Sequence, residues 1–230
     1  MEVLLDSLVT AIRLILSGDK EVFAITTRTV MISLASTLIA AAIFLPVASL
    51  IHFHDFPLKG MVLGLVQTFY SLPTVFVGML VFIVFSKAGP LGSFGILFSP
   101  QAIIIGEVIL ISPIIVGVAN SAMDAIGPEI KDTAVSLGAG ATQAMLRIAK
   151  EAQFGIATAV LLAFGRAVSE VGLAIIVGGN IRDYTRTLTT AMALETSIGN
   201  VELSLALGII LVSLALLVNI LVGRLRSKYR

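Results

Sequence analysis

No cysteine and no tryptophan occur in the 230 residues, and only 13% carry a charge. The first absence excludes disulfides, thiolate metal sites and thiol catalysis together, and leaves the redox compartment unreadable. The second leaves any aromatic belt to the three Tyr and some of the twelve Phe. Soluble domains hold about 25% charged and roughly 45–50% apolar residues; this chain is 57% hydrophobic, with a mean hydropathy of +1.06. Lipid is the solvent that such a composition fits. A net charge of +1 gives no reason to expect nucleic acid. No G-x-x-x-x-G-K-[ST] and no Gly-rich loop adjoining a strand is present, so nothing here can cradle ATP phosphates. No serine, histidine and acid stand in a nucleophile-elbow context either, which argues against catalysis by this chain alone.

What is there is long apolar runs. About 20 residues cross about 30 Å of hydrocarbon, and five runs qualify: 29–51, 60–86, 102–123, 153–178 and 203–223. The third is interrupted only by Glu107, the fourth only by Arg166 and Glu170. Pro46, Pro73 and Pro113 fall inside the first three, where a bundle tolerates them and where helix breaks can occur. The chain therefore reads as one all-α transmembrane domain over 1–230. Residues 1–17 are too short and too charged to span. Glu2, Asp6, Thr10, Arg13 and Ser17 fall on one arc at helical spacing, away from Leu5, Leu8, Val9, Ile12 and Leu16, which describes a helix lying in the interface. The acidic start and the lack of a small-residue cleavage site argue against a signal peptide.

Five spans put the two ends on opposite sides. The tail GRLRSKYR holds Arg224, Arg226, Lys228 and Arg230 with no acid, which the positive-inside rule assigns to the cytoplasm. The N-terminus, the 87–101 loop and the 179–202 connection are then external; HFHDFPLK (52–59) and the 124–152 connection are cytoplasmic. Arg13, Lys20 and Arg28 mildly offend the rule.

Charges inside a span cost roughly 2.5–3.5 kcal/mol each on insertion scales, so Arg166, Glu170 and Glu107 are expected to face the bundle interior. Arg166 and Glu170 are four apart, within pairing reach on a helix, and Glu107 falls at a similar depth. The expectation is a network that latches helices together, one arginine beside two glutamates being a reasonable cluster inside a bundle.

The 124–152 connection reads DAIGPEIKDTAVSLGAGATQAMLRIAKEA: a helical run opened by Pro128, a Gly138-Ala139-Gly140 break, and a second run entering the fourth span. It resembles the cytoplasmic loop of ABC-importer permeases, whose motif is E-A-A, three residues, G, nine residues, I-x-L-P. Asp132, Thr133 and Ala134 stand at the first positions, Gly138 at the glycine and Ile148 at the isoleucine; Lys150 and Glu151 replace the final Leu-Pro. SLPTVFVG (71–78), KAGPLGSFGILFSPQAIIIGE (87–107), FGRAVSEVG (164–172) and VGGNIRDYTRTLTTAMALETS (177–197) extend the likeness over nearly the whole chain to the molybdate and tungstate branch. The last two are similar to tungstate-importer permeases in particular.

The resemblance implies the type I importer permease fold and a homodimeric pore in a bacterial or archaeal plasma membrane. It implies two separate ATPase subunits, which bind the ATP and Mg, and an extracytoplasmic tungstate-binding protein. This chain itself is expected to hold no cofactor and no metal. The coupling helix falls at about Lys131 to Leu137, with Lys131, Asp132, Thr133, Ala134, Val135 and Leu137 toward the ATPase and Gly138 and Ile148 shaping the return to the membrane. Asn180, Arg182, Tyr184 and Arg186 are candidates for an external gate or binding-protein contact, guanidinium and hydroxyl being suited to a tetrahedral dianion. Molybdate is the neighbouring substrate. His52 and His54 form no metal set with obvious further ligands, and Gly60 and Gly64 read as helix packing. A secondary transporter would also place charges in a membrane but would show two related halves, and no internal repeat is visible; a membrane scaffold without transport is the remaining class.

Overall fold

A computed structural model describes the chain apart from residues 1, 128, 129, 131, 132, 134, 135 and 228–230, and apart from the side chains of 2–6, 141, 226 and 227. The described residues are helical or in turns. In chain order the helices are α1 (Glu2–Leu16), α2 (Lys20–Phe53), α3 (Lys59–Thr68), α4 (Thr74–Phe85), α5 (Pro100–Asp124), α6 (Ala141–Glu151), α7 (Gln153–Val168), α8 (Gly172–Gly178), α9 (Leu188–Ser197) and α10 (Val201–Ser227).

Three of these, α2, α5 and α10, are each long and apolar enough to cross a membrane. Two further spans exist if bent pairs count as one: residues 59–71 with α4, bent by 97°, and residues 142–151 with α7, bent by 65°. Proline alone does not decide where a helix bends. Pro46 and Pro113 lie within α2 and α5, which run on through them, whereas Pro73 caps α4, its carbonyl accepting from Phe76 and Val77 N–H. The first span also starts earlier than its uncharged run. Asp19 accepts from the Glu21 and Val22 amides at 3.0 Å each, so the helix begins at Lys20.

At the centre lies α5, packed against α2, α4, α7 and α8. Ile103, Ile111 and Ile115 on it are fully buried, beside Leu173 and Val177 of α8 and Ala163 and Ala167 of α7. The buried hydroxyls of Thr29, Ser36 and Thr37 donate to carbonyls one turn back, and Thr29 Oγ1 also accepts from Leu188 N–H at 2.8 Å. On the periphery, Phe23, Met31 and Leu38 of α2 and Leu216 and Leu217 of α10 are exposed, an extent of bare apolar surface that suits lipid. The N-terminal α1 packs on α10: Ala11 is buried, Ser7 Oγ donates to Glu202 at 3.0 Å, and Leu8, Val9, Ile12 and Leu16 stay open.

The contacts fix which segments share an end of the bundle. The start of α2 meets the 179–187 segment through Glu21 and Arg182, and Phe98 N–H reaches the Val177 carbonyl at 2.8 Å. At the opposite end His52 meets Asp124 at 2.7 Å, and the start of α7 lies against the last turns of α10.

Candidate functional site

The run FGRAVSEVG does not form one continuous helix. Helix α7 stops at Val168, Ser169 Oγ folds back onto the Arg166 carbonyl at 3.0 Å, and α8 starts only at Gly172. Glu170 sits in the break and closes it from three directions. Its Oε2 accepts from Arg166 Nη1 at 2.7 Å, its Oε1 accepts from Leu173 N–H at 3.0 Å, and its backbone carbonyl accepts from Thr189 Oγ1 at 2.5 Å. The Arg166–Glu170 pair expected from spacing therefore exists, but the carboxylate also caps a helix start, which spacing alone does not reveal. The Glu170 side chain is 1% exposed and that of Arg166 29%, so the pair is open on the guanidinium side only.

Glu107 joins this pair. It is buried on α5 within electrostatic reach of Arg166, Glu170 and the Ser36 hydroxyl of α2, and its Oε2 has no hydrogen-bond partner among the described residues. Two carboxyl groups thus lie within electrostatic reach of one guanidinium, which pairs with Glu170. A buried polar atom without a hydrogen bond is costly, so Glu107 Oε2 is an unsatisfied group in the middle of an apolar bundle.

A second helix break lies alongside. A Cβ on Gly172 would come within 2.8 Å of Val75 Cγ2 and 3.0 Å of Thr74 Oγ1, so the start of α8 rests directly on the start of α4. The α3–α4 and α7–α8 discontinuities meet at one level, next to the charge cluster. Sequence alone does not single out Ser36, Thr74 and Thr189. Ser36 has a readable signal, since Ser33, Ser36 and Thr37 recur at helical spacing inside an apolar run; Thr189 has none short of the fold.

At the bundle end formed by the 179–187 segment, Arg182 and Arg186 are already engaged. Arg182 Nη2 meets Glu21 at 2.7 Å; Arg186, 12% exposed, lies 3.6 Å from both Glu21 and Glu195. Arg28 donates to the Arg186 carbonyl at 3.2 Å, and Asn200 braces Glu195 at 2.9 Å. Asn180 adopts φ +50 and donates to the Thr190 carbonyl at 3.2 Å, while Tyr184 is exposed. Of the four candidates there, Tyr184 and the edge of Arg182 face outward, and Asn180 and Arg186 hold the segment in place.

In the 124–152 connection, Lys131, Asp132, Ala134 and Val135 lie outside the described residues. Thr133 and Leu137 are exposed, and Leu137 N–H returns to the Thr133 carbonyl at 3.1 Å. Gly138 has φ +85, a conformation that L side chains rarely adopt. Ile148 is buried with Ala48, Met123 and Ala152, which anchors the far end of the loop in the bundle. Among the described residues no three His, Cys, Asp or Glu gather as a metal set.

Residues 44–230 match the family described as "binding-protein-dependent transport system inner membrane component". A probable anion ABC transporter permease protein of Haloferax volcanii is 41% identical over 210 residues, 89% of this chain and 90% of that one. The tungstate uptake system permease protein TupB of Peptoclostridium acidaminophilum is 34% identical over 228 residues, 99% of this chain and all of that one. Among solved structures, a chain of the MetNI methionine ABC transporter in an inward-facing conformation superposes with a TM-score of 0.72 at 21% identity, covering 92% of this chain and 95% of that chain. That likeness shows the fold.

Proposed function

This chain belongs to the binding-protein-dependent inner membrane component family, and on that premise we propose that it forms, as a homodimer, the pore through which an ABC importer takes up a tetrahedral oxyanion, tungstate first and molybdate second. As a multi-pass inner membrane permease it is the non-catalytic subunit; two cytoplasmic ATPases supply the energy and hold the ATP and Mg, and an extracytoplasmic binding protein delivers the ion. The C-terminus is cytoplasmic and the N-terminus external.

The observation that carries the substrate reading is full-length likeness to a tungstate uptake permease, with an anion permease matching over most of the chain. Geometry supports the mechanism. Arg166, Glu170 and Glu107 sit where two broken spans touch, so the cluster can latch the half-helices in one arrangement and release them in another. It stands beside the pathway: Glu170 occupies the Arg166 guanidinium, and a permanent carboxylate on the route repels a dianion. Permeation then relies on weak distributed contacts, because a tight site would retain the ion. The ATPase grips the 131–137 segment and its pull reaches the bundle through Ile148. Tyr184 and Arg182 meet the binding protein.

Uptake by cells expressing this chain with its ATPase and binding protein tests the substrate. Tungstate should accumulate at nanomolar to micromolar supply, with molybdate competing and sulfate competing poorly. Sulfate uptake unaffected by tungstate would move the chain to another branch.

A further inference from the structure

We propose that a chain of hydrogen bonds through Asn120, Asp124, His52 and Lys59 positions α3 against the stem of the 124–152 connection and carries movement of that connection to the break between α3 and α4. It rests on the reading that an ATPase pulls on the 131–137 segment, and it names the side chains that pass the pull on. Asn120 Nδ2 donates to Asp124 Oδ2 at 2.7 Å, and Lys59 Nζ donates to the His52 carbonyl at 2.8 Å. Between them, His52 Nδ1 stands 2.7 Å from Asp124 Oδ1; an ionised carboxylate only accepts, so the ring nitrogen donates. The carboxylate therefore holds its own helix, α5, with one oxygen and the last turn of α2 with the other, while Lys59 is the first residue of α3. Three helix ends are joined in series.

The place of the chain gives its use. Helix α5 ends at Asp124, so the connection leaves the bundle from that residue, and its far end is held by Ile148 among Ala48, Met123 and Ala152. That apolar cluster also reaches α3, through Val66. Apolar contacts resist separation but have no direction and let helices slide, whereas hydrogen bonds fix distance and angle. From Lys59, α3 runs to the 69–73 break, and just beyond it Thr74 and Val75 rest against Gly172, next to Glu170. A shift of Asp124 is thereby led to the Arg166–Glu170 pair. The His52 side chain is 16% exposed and that of Asp124 56%, so the contact adds little to stability and its loss should spare assembly. Asn120 Oδ1 is buried with no partner among the described residues, a cost that a second arrangement of the chain can relieve.

The complex with its ATPase and loaded binding protein, reconstituted in proteoliposomes, tests it through two readouts. One is tungstate taken up per ATP hydrolysed. The other is the labelling rate of Ser71→Cys, a thiol probe in the exposed turn of the break, followed on this chain by mass spectrometry with and without ATP. ATP should change that rate in the otherwise wild-type chain. His52→Ala, Asp124→Ala and Lys59→Met should each assemble on size exclusion, lose most of the change, and cut uptake per ATP by about fivefold or more, the lower end of coupling between separate sites. His52→Asn, whose amide can donate from near the Nδ1 position, should restore both readouts, which a purely steric role of the ring would not allow. The proposal is overturned if all three variants keep the ATP-dependent change and the wild-type uptake ratio, if all three fail to assemble, if His52→Asn behaves as His52→Ala, or if ATP leaves the wild-type rate unchanged. A wild type that takes up no oxyanion, yet shows ATP-dependent labelling that His52→Ala abolishes, would overturn the substrate reading and support the chain.

Discussion

A guanidinium within an apolar bundle needs a counter-charge, and Arg166 has one in Glu170 at 2.7 Å. Removing one member of a buried pair costs about 3–5 kcal/mol, because the other is left charged and unpaired. Arg166→Ala and Glu170→Ala should therefore both lower the yield of assembled complex on size exclusion. Glu170→Gln is the discriminating variant: its amide oxygen can still accept from Leu173 N–H while the ion pair is lost, so it should assemble better than Glu170→Ala. The exchanged pair Arg166→Glu with Glu170→Arg restores charge balance but leaves Leu173 N–H without an acceptor. Its yield should exceed either alanine variant and fall short of the wild type. Gly172 makes the neighbouring close approach. Gly172→Val places carbon against Val75 and Thr74, an overpacking cost of about 1–3 kcal/mol that outweighs a helix-propensity gain of about 0.4 kcal/mol. The thermal midpoint of the purified complex should drop.

At the scale of elements, the loop that turns at Gly138 gives the sharpest expectation. Proline is locked near φ −65° and cannot adopt +85°, so Gly138→Pro should leave the chain expressed yet abolish uptake, measured against binding-protein-stimulated ATP hydrolysis in the same preparation. Intact stimulation would remove the loop from the coupling role. Elements also show what the sequence could and could not display. Each apolar run maps onto helix because burial and lipid both favour uninterrupted hydrogen bonding, and the Gly138 turn is legible in composition. The break at 169–171 is hidden: no proline marks it, and it exists because Thr189, Arg166 and Leu173, distant or adjacent in sequence, all converge on Glu170. The early start of α2 is hidden for the opposite reason. Lys20, Glu21 and Arg28 look like the end of a span, yet Glu21 is what holds Arg182 and Arg186. Nothing local to 182–186 could show that these arginines are engaged.

For the whole molecule, the contacts group the start of α2, the 87–99 loop and the 179–200 region at one end, and the 54–58 turn, Asp124, Ile148 and the last turns of α10 at the other. Single cysteines in this cysteine-free chain can assign the two ends. Ser93→Cys and Tyr184→Cys, both exposed, should react with an impermeant thiol reagent in intact cells, and Leu137→Cys only after permeabilisation; the reverse pattern would invert the orientation. Thr187 is a poor probe because it is buried as the cap of α9. The central claim, that this chain is a pore driven by a separate ATPase for an oxyanion delivered by a binding protein, is tested most directly by tungstate accumulation in proteoliposomes containing the chain and its ATPase. With binding protein on the side of Tyr184 and ATP on the side of Leu137, tungstate should accumulate inside against its gradient, and omitting ATP, ATPase or binding protein should each abolish it. Accumulation driven by a proton or sodium gradient with no ATPase present would contradict the account.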